Sequence, residues 1–217
     1  MLMMAHYLKT LGIVCLLSSG LVQADADVYG QQCAACHGPA GGGNQAMQAP
    51  AIAGLDKVYL SRQLTHFKTG VRGNNPGDTS GMMMAAMAKP LTEAQINRLA
   101  TYLASQPFIS AKPPAETGGF MGRGLYRNCG SCHGAQAQGE PQMNTPRLAG
   151  QHSWYLLAQL KKFKSGLRGK HVKDKYGKQM HLVSQGLDFD NLLPSILAHI
   201  SHLKVTTPNK AQSTSTH

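Results

Sequence analysis

The sequence predicts an all-α fold written twice in tandem, and three observations carry that prediction. The first is an internal repeat. A shift of 96 residues carries Cys33, Cys36, His37 and Gly38 onto Cys129, Cys132, His133 and Gly134. The same shift carries Pro50, Gly54, Tyr59, Leu60, Gln63, Leu64, Phe67, Arg72 and Gly73 onto Pro146, Gly150, Tyr155, Leu156, Gln159, Leu160, Phe163, Arg168 and Gly169, with no insertion. Self-similarity over such a length marks two homologous units. The second observation is that apolar residues recur at helical spacing in both copies. The third is that no stretch alternates apolar and polar residues as a half-buried strand would.

Bulk properties agree with two small domains. The chain has 217 residues, 42% of them hydrophobic and 14% charged, so it is neither a disordered polyelectrolyte nor a long surface helix. Lys9, the apolar run Leu11 to Leu17 and the small-residue site Val22-Gln23-Ala24 read as an export signal cleaved after Ala24, with Ala26 an alternative. The competing reading is a retained anchor, but the run is shorter than the about 20 residues a membrane span needs. Cys15 lies inside the run without the small residues that precede a lipid-modified cysteine. The expected division is a signal over 1–24, a first domain over 25–105, a linker over 106–118, a second domain over 119–205 and a polar tail over 206–217. The linker contains Pro107, Pro113, Pro114, Gly118 and is expected to be semi-extended.

In chain order, residues from about Asp27 to Ala35 are expected to form a short helix, with Leu125 to Gly130 as counterpart. A glycine-rich loop follows, Gly38-Pro39-Ala40-Gly41-Gly42-Gly43 in the first copy. Tyr59, Leu60, Gln63, Leu64 and Phe67, and their partners at +96, form an amphipathic helix. Thr92-Glu93-Ala94-Gln95 is a capping box, with Leu91 and Ile96 as a hydrophobic staple. Asp188 stands where Thr92 does and is expected to cap the last helix, whose stripe would be Leu192, Ile196, Ile200 and Leu203. Pro194 is tolerable only in a first turn, which predicts a later start for that helix.

The repeated Cys33-Ala34-Ala35-Cys36-His37 and Cys129-Gly130-Ser131-Cys132-His133 are C-x-x-C-H patterns, the attachment signature of c-type haem. Two thiols three positions apart each add to one vinyl group of a porphyrin, and the next residue, histidine, is held under the ring as an iron ligand. Disulfides are the ordinary use of paired cysteines in an exported chain, but the following histidine argues for thioethers. Structural zinc would place its C-x-x-C pairs closer than 96 residues apart. A thioredoxin-type motif would need a βαβ context. Pro50 and Pro146 are expected to offer backbone carbonyls to the second ring nitrogen of His37 and His133.

The sixth iron ligand is expected to be methionine. The first copy offers Met82, Met83, Met84 and Met87; after the second motif only Met143 and Met180 occur. Met84 and Met180 are related by the repeat, each 47 residues after its histidine and seven before Leu91 or Leu187. Met83 and Met87 read as filler. His66, His152 and His181 read as surface or packing histidines. Tyr59, Arg72, Tyr155 and Arg168 are candidates for contacting haem propionates.

These residues resemble class I cytochrome c domains, and their tandem arrangement resembles the di-haem cytochromes of the c4 type. The Y-L-x-x-Q-L-x-x-F-K-x-G-x-R-G run, present in both copies, carries the more specific part of the likeness, which covers nearly all of the mature chain. Leu55 against Gln151 is a departure from the repeat. The resemblance implies two cytochrome c domains, each wrapped around one covalently attached haem, with haem edges facing each other. It also implies an electron carrier feeding a terminal oxidase from a periplasmic pool.

Charge is uneven. Residues 27–110 hold six bases and four acids, whereas residues 119–217 hold thirteen bases and four acids. Eight bases crowd one stretch: Lys161, Lys162, Lys164, Arg168, Lys170, Lys173, Lys175 and Lys178. One reading is a solvated face. The other is docking of the second domain on acidic, membrane-bound redox proteins, a terminal oxidase or a quinol-oxidising complex, or on an anionic membrane surface. Nucleic acid and a small-molecule substrate are not expected. The competing functions are a haem enzyme of peroxidase-like or thiosulfate-oxidising kind, and a cytochrome subunit of a larger dehydrogenase or reductase.

Overall fold

The structure, a computed structural model, describes residues 28–204. The expected signal segment and polar tail lie outside the described residues. The first domain comprises α1 (residues 28–32), α2 (Ala34–His37), α3 (Lys57–Lys68), α4 (Thr79–Ala88) and α5 (Glu93–Ser105). The second comprises α6 (Gly119–His133), a 3-10 turn (Pro141–Met143), α7 (Ser153–Ser165), α8 (Lys175–Gln185) and α9 (Leu193–His202). The β pairing among the described residues is two isolated bridges, Asn44 with Ala49 and Glu140 with Thr145. Helix α3 packs on α4 and α5, and in the second domain α7 packs on α8 and α9 while α6 lies on α9.

Helix starts follow local chemistry. Asp56 accepts from the Tyr59 N–H at 2.8 Å to begin α3. The Thr92–Gln95 capping box is formed in both directions at α5. Asp78 and Asp174 cap α4 and α8 by accepting from Gly81 and Gly177 N–H, at 2.9 and 2.8 Å. Only glycine fits three residues after these aspartates. A Cβ on Gly81 would lie 2.1 Å from Asp78 Oδ2, and one on Gly177 2.0 Å from Asp174 Oδ2.

Each domain buries its own apolar cluster. Tyr29, Leu55, Leu60, Leu91, Ile96, Leu99, Ala100 and Leu103 form the first. Tyr126, Ala149, Leu156, Leu193, Ile196, Leu197 and Ile200 are central to the second. Burying one such aliphatic side chain contributes about 1.5–3 kcal/mol, and Ile96 and Leu193 are almost wholly buried.

Three expectations are corrected here. Asp188 caps a turn rather than α9, accepting from Asp190 and Asn191 N–H, while α9 starts at Leu193 with Pro194 in its first turn, the later start that Pro194 predicts. The delay rotates the stripe to Leu193, Ile196, Leu197 and Ile200 and leaves Leu192 exposed. The helix expected to run unbroken to Ala35 turns at Cys33 between α1 and α2, whereas α6 is continuous through its haem motif and much longer than Leu125 to Gly130. The break has a cause. Tyr29 and Tyr126 donate to the equivalent carbonyls of Gly38 and Gly134, at 2.6 and 2.7 Å, although Tyr29 stands one residue farther from its motif. The turn at Cys33 absorbs that extra residue.

The segment between α5 and α6 is tied to both domains, since Phe108 packs against the first domain's core while the segment also holds the second. Phe108 lies under the Arg147 guanidinium, 3.9 Å from its carbon to the ring centroid. Ala111 N–H donates to the Gly150 carbonyl at 2.8 Å.

Candidate haem sites

In each domain the helix that carries the C-x-x-C-H motif ends on its histidine. His37 and His133 are both 5% exposed. Their Nδ1 atoms lie 2.9 Å from the carbonyl oxygens of Pro50 and Pro146. A carbonyl only accepts, so Nδ1 must carry the proton, and Nε2 is left with a lone pair. Burial lowers the proton affinity of both imidazoles and outweighs the opposing bond to the proline carbonyl. A neutral imidazole of fixed tautomer and fixed orientation is what an iron ligand requires.

A continuous cavity of about 540 Å³ is lined by His37 and Met84 from one domain and His133 and Met180 from the other. Met82, Met83 and Met87 are exposed. Met143 also reaches the cavity wall but is 46% exposed. Of the four motif cysteines, Cys129 and Cys132 line the cavity and Cys33 packs on the first core. Burial raises the thiols of Cys33 and Cys129 above their ordinary range. His152 stacks on Trp154 at 5.4 Å and its Nε2 meets the Gly42 carbonyl of the other domain at 2.8 Å, and His181 Nδ1 meets the Phe163 carbonyl at 2.5 Å.

The four residues expected near propionates converge at the boundary between domains. Arg72 donates to Gln63 Oε1 at 2.6 Å, to Gln159 Oε1 at 2.8 Å and to the Tyr155 hydroxyl at 3.3 Å. Arg168 donates to Gln159 Oε1 at 2.8 Å and to Gln63 Oε1 at 3.0 Å, with Tyr59 beside it. Each amide oxygen thus takes one N–H from each arginine, and the ring is closed by the pseudo-two-fold of the repeat. Each guanidinium also covers a phenyl ring of its own domain, Phe67 or Phe163, at 4.4 Å. Burial, then Arg72, holds Arg168 below its ordinary range. Burial alone would raise the Tyr155 hydroxyl, but Arg72 and Arg168 outweigh it and draw it down.

These residues fit a haem in each domain. Two buried cations lie side by side with no carboxylate at ion-pair distance among the described residues, and the Nε of each has no partner. Such a patch calls for an anion, and haem propionates bring carboxylates. The cavity supplies the apolar walls, and the two histidines supply iron-ready lone pairs. Gln63 and Gln159 were read only as part of a helical stripe. Their signal was a polar residue at a core position in both copies.

The lysine cluster is divided by the fold. Lys162 points inward, 2.5 Å from Asp78 Oδ1 and 2.7 Å from Ser80 Oγ of the other domain. It makes an interdomain ion pair and is not a docking residue, because its ammonium is committed to the buried Asp78 carboxylate. Arg168 is buried as described. Lys161, Lys164, Lys170, Lys173, Lys175 and Lys178 are exposed.

A sequence model described as cytochrome c matches residues 23–107 and 121–204. The chain is 40% identical over 148 residues to a thiosulfate dehydrogenase electron acceptor of Thiomonas intermedia, covering 63% of this chain and 64% of that protein, slightly under two thirds of its length. It is 34% identical over 178 residues to cytochrome c4 of Azotobacter vinelandii, covering 74% of this chain and 81% of the relative. The crystal structure of reduced cytochrome c4 from Pseudomonas stutzeri superimposes with a TM-score of 0.67 at 26% identity, covering 84% of this chain and 98% of that one. Two tandem helical domains, two covalent haem motifs and these likenesses place the chain in the cytochrome c family, as a di-haem electron-transfer protein of the cytochrome c4 type.

Proposed function

We propose that this protein is an exported, periplasmic carrier of up to two electrons that delivers them to a membrane-bound terminal oxidase. The observation that carries this reading is the pairing, in each half of the cavity, of a carbonyl-held histidine with a methionine. His37 with Met84, and His133 with Met180, would take both axial positions of each iron, leaving no place for a substrate. Haem supplies a one-electron ferric/ferrous couple, and a soft thioether ligand favours the reduced form. Pro50 and Pro146 hold the histidines, Arg72 and Arg168 would neutralise the propionates, and Tyr59 and Tyr155 would offer them hydroxyl donors.

A thiosulfate-oxidising or peroxidase-like enzyme would need an exchangeable axial position or a thiolate. Among the described residues every cysteine belongs to an attachment pair. The likeness to a thiosulfate dehydrogenase electron acceptor instead supports a donor of that kind beside the quinol-oxidising complex. Joining two thiosulfate ions as tetrathionate releases two electrons, one for each haem.

The six exposed lysines of the second domain would form the docking rim for an acidic partner, with peripheral attachment to anionic membrane as a second use. No helix among the described residues is long and apolar enough to cross a membrane.

The test is the spectrum and reactivity of the oxidised holoprotein. Two sulfur-to-iron charge-transfer bands are expected, one vanishing in Met84→Ala and the other in Met180→Ala. A high-spin haem that binds cyanide readily in the unaltered protein overturns the carrier reading. Charge reversal at Lys161, Lys170 and Lys173 should slow electron transfer to the oxidase at low salt and have little effect at high salt; an unchanged low-salt rate removes the docking role.

A further inference from the structure

The two proximal prolines sit in equivalent loops, but the loops are not held equivalently. Residues 147–152 of the second domain reach onto residues 42–54 of the first. Gln151 accepts from Ala51 N–H at 3.1 Å and donates to the Ala51 carbonyl at 2.8 Å. His152 Nε2 meets the Gly42 carbonyl at 2.8 Å, and Arg147 donates to the Gly54 carbonyl. The repeat-equivalent positions of the first domain make no matching contact; its hold on the second domain's loop is instead Arg62, which donates to the Asn144 side-chain and backbone oxygens at 3.2 and 2.8 Å. Leu55 stands at the position of Gln151 and is buried in its own core. Ala51 stands at that of Arg147, and Asp56, at that of His152, caps α3.

The Gln151 contact matters because of which peptide it holds. The Ala51 N–H and the Pro50 carbonyl belong to one planar peptide unit. Gln151 therefore fixes from across the domain boundary the plane whose oxygen accepts from His37 Nδ1. The three groups form a chain: His37 Nδ1–H to the Pro50 oxygen, and through that amide the Ala51 N–H to Gln151 Oε1. Hydrogen bonds in series polarise one another, so the Pro50 oxygen becomes a stronger acceptor and His37 a more electron-rich ligand. The equivalent N–H of Arg147 has no protein partner among the described residues. Gln151 is 5% exposed, so water does not replace it.

We infer that Gln151 is a positioning residue for the first haem, through which the second domain sets the orientation and electron donation of His37. The inference rests on His37 being the proximal ligand of that haem. It makes the two sites electronically unequal by a contact made in one direction only, and it makes the first site sensitive to how the domains are docked.

The experiment is redox titration of the holoprotein, with the two haems distinguished by nuclear magnetic resonance of their His37 and His133 ring protons. Gln151→Leu, which copies Leu55, should move the first haem's equilibrium toward the ferrous form by about threefold to tenfold, the upper limit being ~59 mV for one electron. The His37 ring signals should shift while those of His133 stay in place. Gln151→Glu keeps an acceptor for Ala51 N–H and loses the donor to its carbonyl, so the first haem should stay at or below its original potential. It also carries the test should the leucine variant not fold. Equal shifts at both haems, no shift at either, or a rise in Gln151→Glu overturns the inference. Failure of the ligand assignment would look different, as a first haem in the unaltered protein whose ring signals are not those of a bound histidine.

Discussion

Lys162 and His66 occupy equivalent places on α7 and α3, and each faces the aspartate that caps the other domain's fourth helix or its counterpart. Lys162 lies 2.5 Å from Asp78, whereas His66 lies 3.8 Å from Asp174. The first is an ion pair. The second is not, because burial lowers the His66 proton affinity first, Arg62, Arg168 and Arg72 add to it, and Asp174 does not compensate. His66 Nδ1 has no hydrogen-bond partner. Two copies of one domain, docked about a pseudo-two-fold, thus divide a job that true symmetry would have duplicated. Gln151 against Leu55 repeats the lesson. At these two places the copies have diverged, while the ring of Arg72, Arg168, Gln63 and Gln159 between them remains matched.

The largest expected effect breaks the stronger pair. Lys162→Met leaves Asp78, 1% exposed, without its cation, and should cost about 3–5 kcal/mol. His66→Leu should cost much less, since no charge is stranded. Equal losses in denaturant titrations of the two holoproteins would show that the pairs are equivalent after all.

Next come the caps, where the domains should behave alike. Gly81→Ala and Gly177→Ala each force a methyl against an aspartate carboxylate, and each should cost about 1–3 kcal/mol. A large effect at one site only would mean that the docking around it, rather than the cap, decides the outcome.

The smallest effect is in pH dependence. A histidine held below its ordinary value of 6.5 in the folded state binds its proton more readily when unfolded. Its stabilising contribution is complete above pH 6.5 and is lost as pH falls below that value. The thermal midpoint of the holoprotein should drop on acidification from about pH 7 to about pH 5, and drop less in His66→Gln. The residual fall belongs in part to His199, lowered by burial and then by Arg123 and His202. An identical pH profile in His66→Gln would remove His66 from this account.

The haem motifs were legible because attachment chemistry is local: two thiols and a histidine within five residues. The capping box at Thr92 and the late start at Pro194 were legible for the same reason, being matters of a single turn. Met84 emerged from four methionines because the second copy offered fewer choices, and the cavity wall takes Met84 while Met82, Met83 and Met87 stay outside. The stripe of α9 was misread because a helix that starts later presents a different face.

What the sequence determined by itself was the all-α repeat and, through two C-x-x-C-H motifs, the two haems, both expressed in short spacings or in the match at 96 residues. What only the tertiary structure decided was the use of the boundary: Lys162 turned inward, Arg72 and Arg168 shared between two glutamines, and Gln151 laid against the peptide behind His37. These contacts join residues 82 to 105 positions apart. Each depends on the angle at which one domain meets the other, and that angle is set by the summed packing of both surfaces rather than by any local pattern.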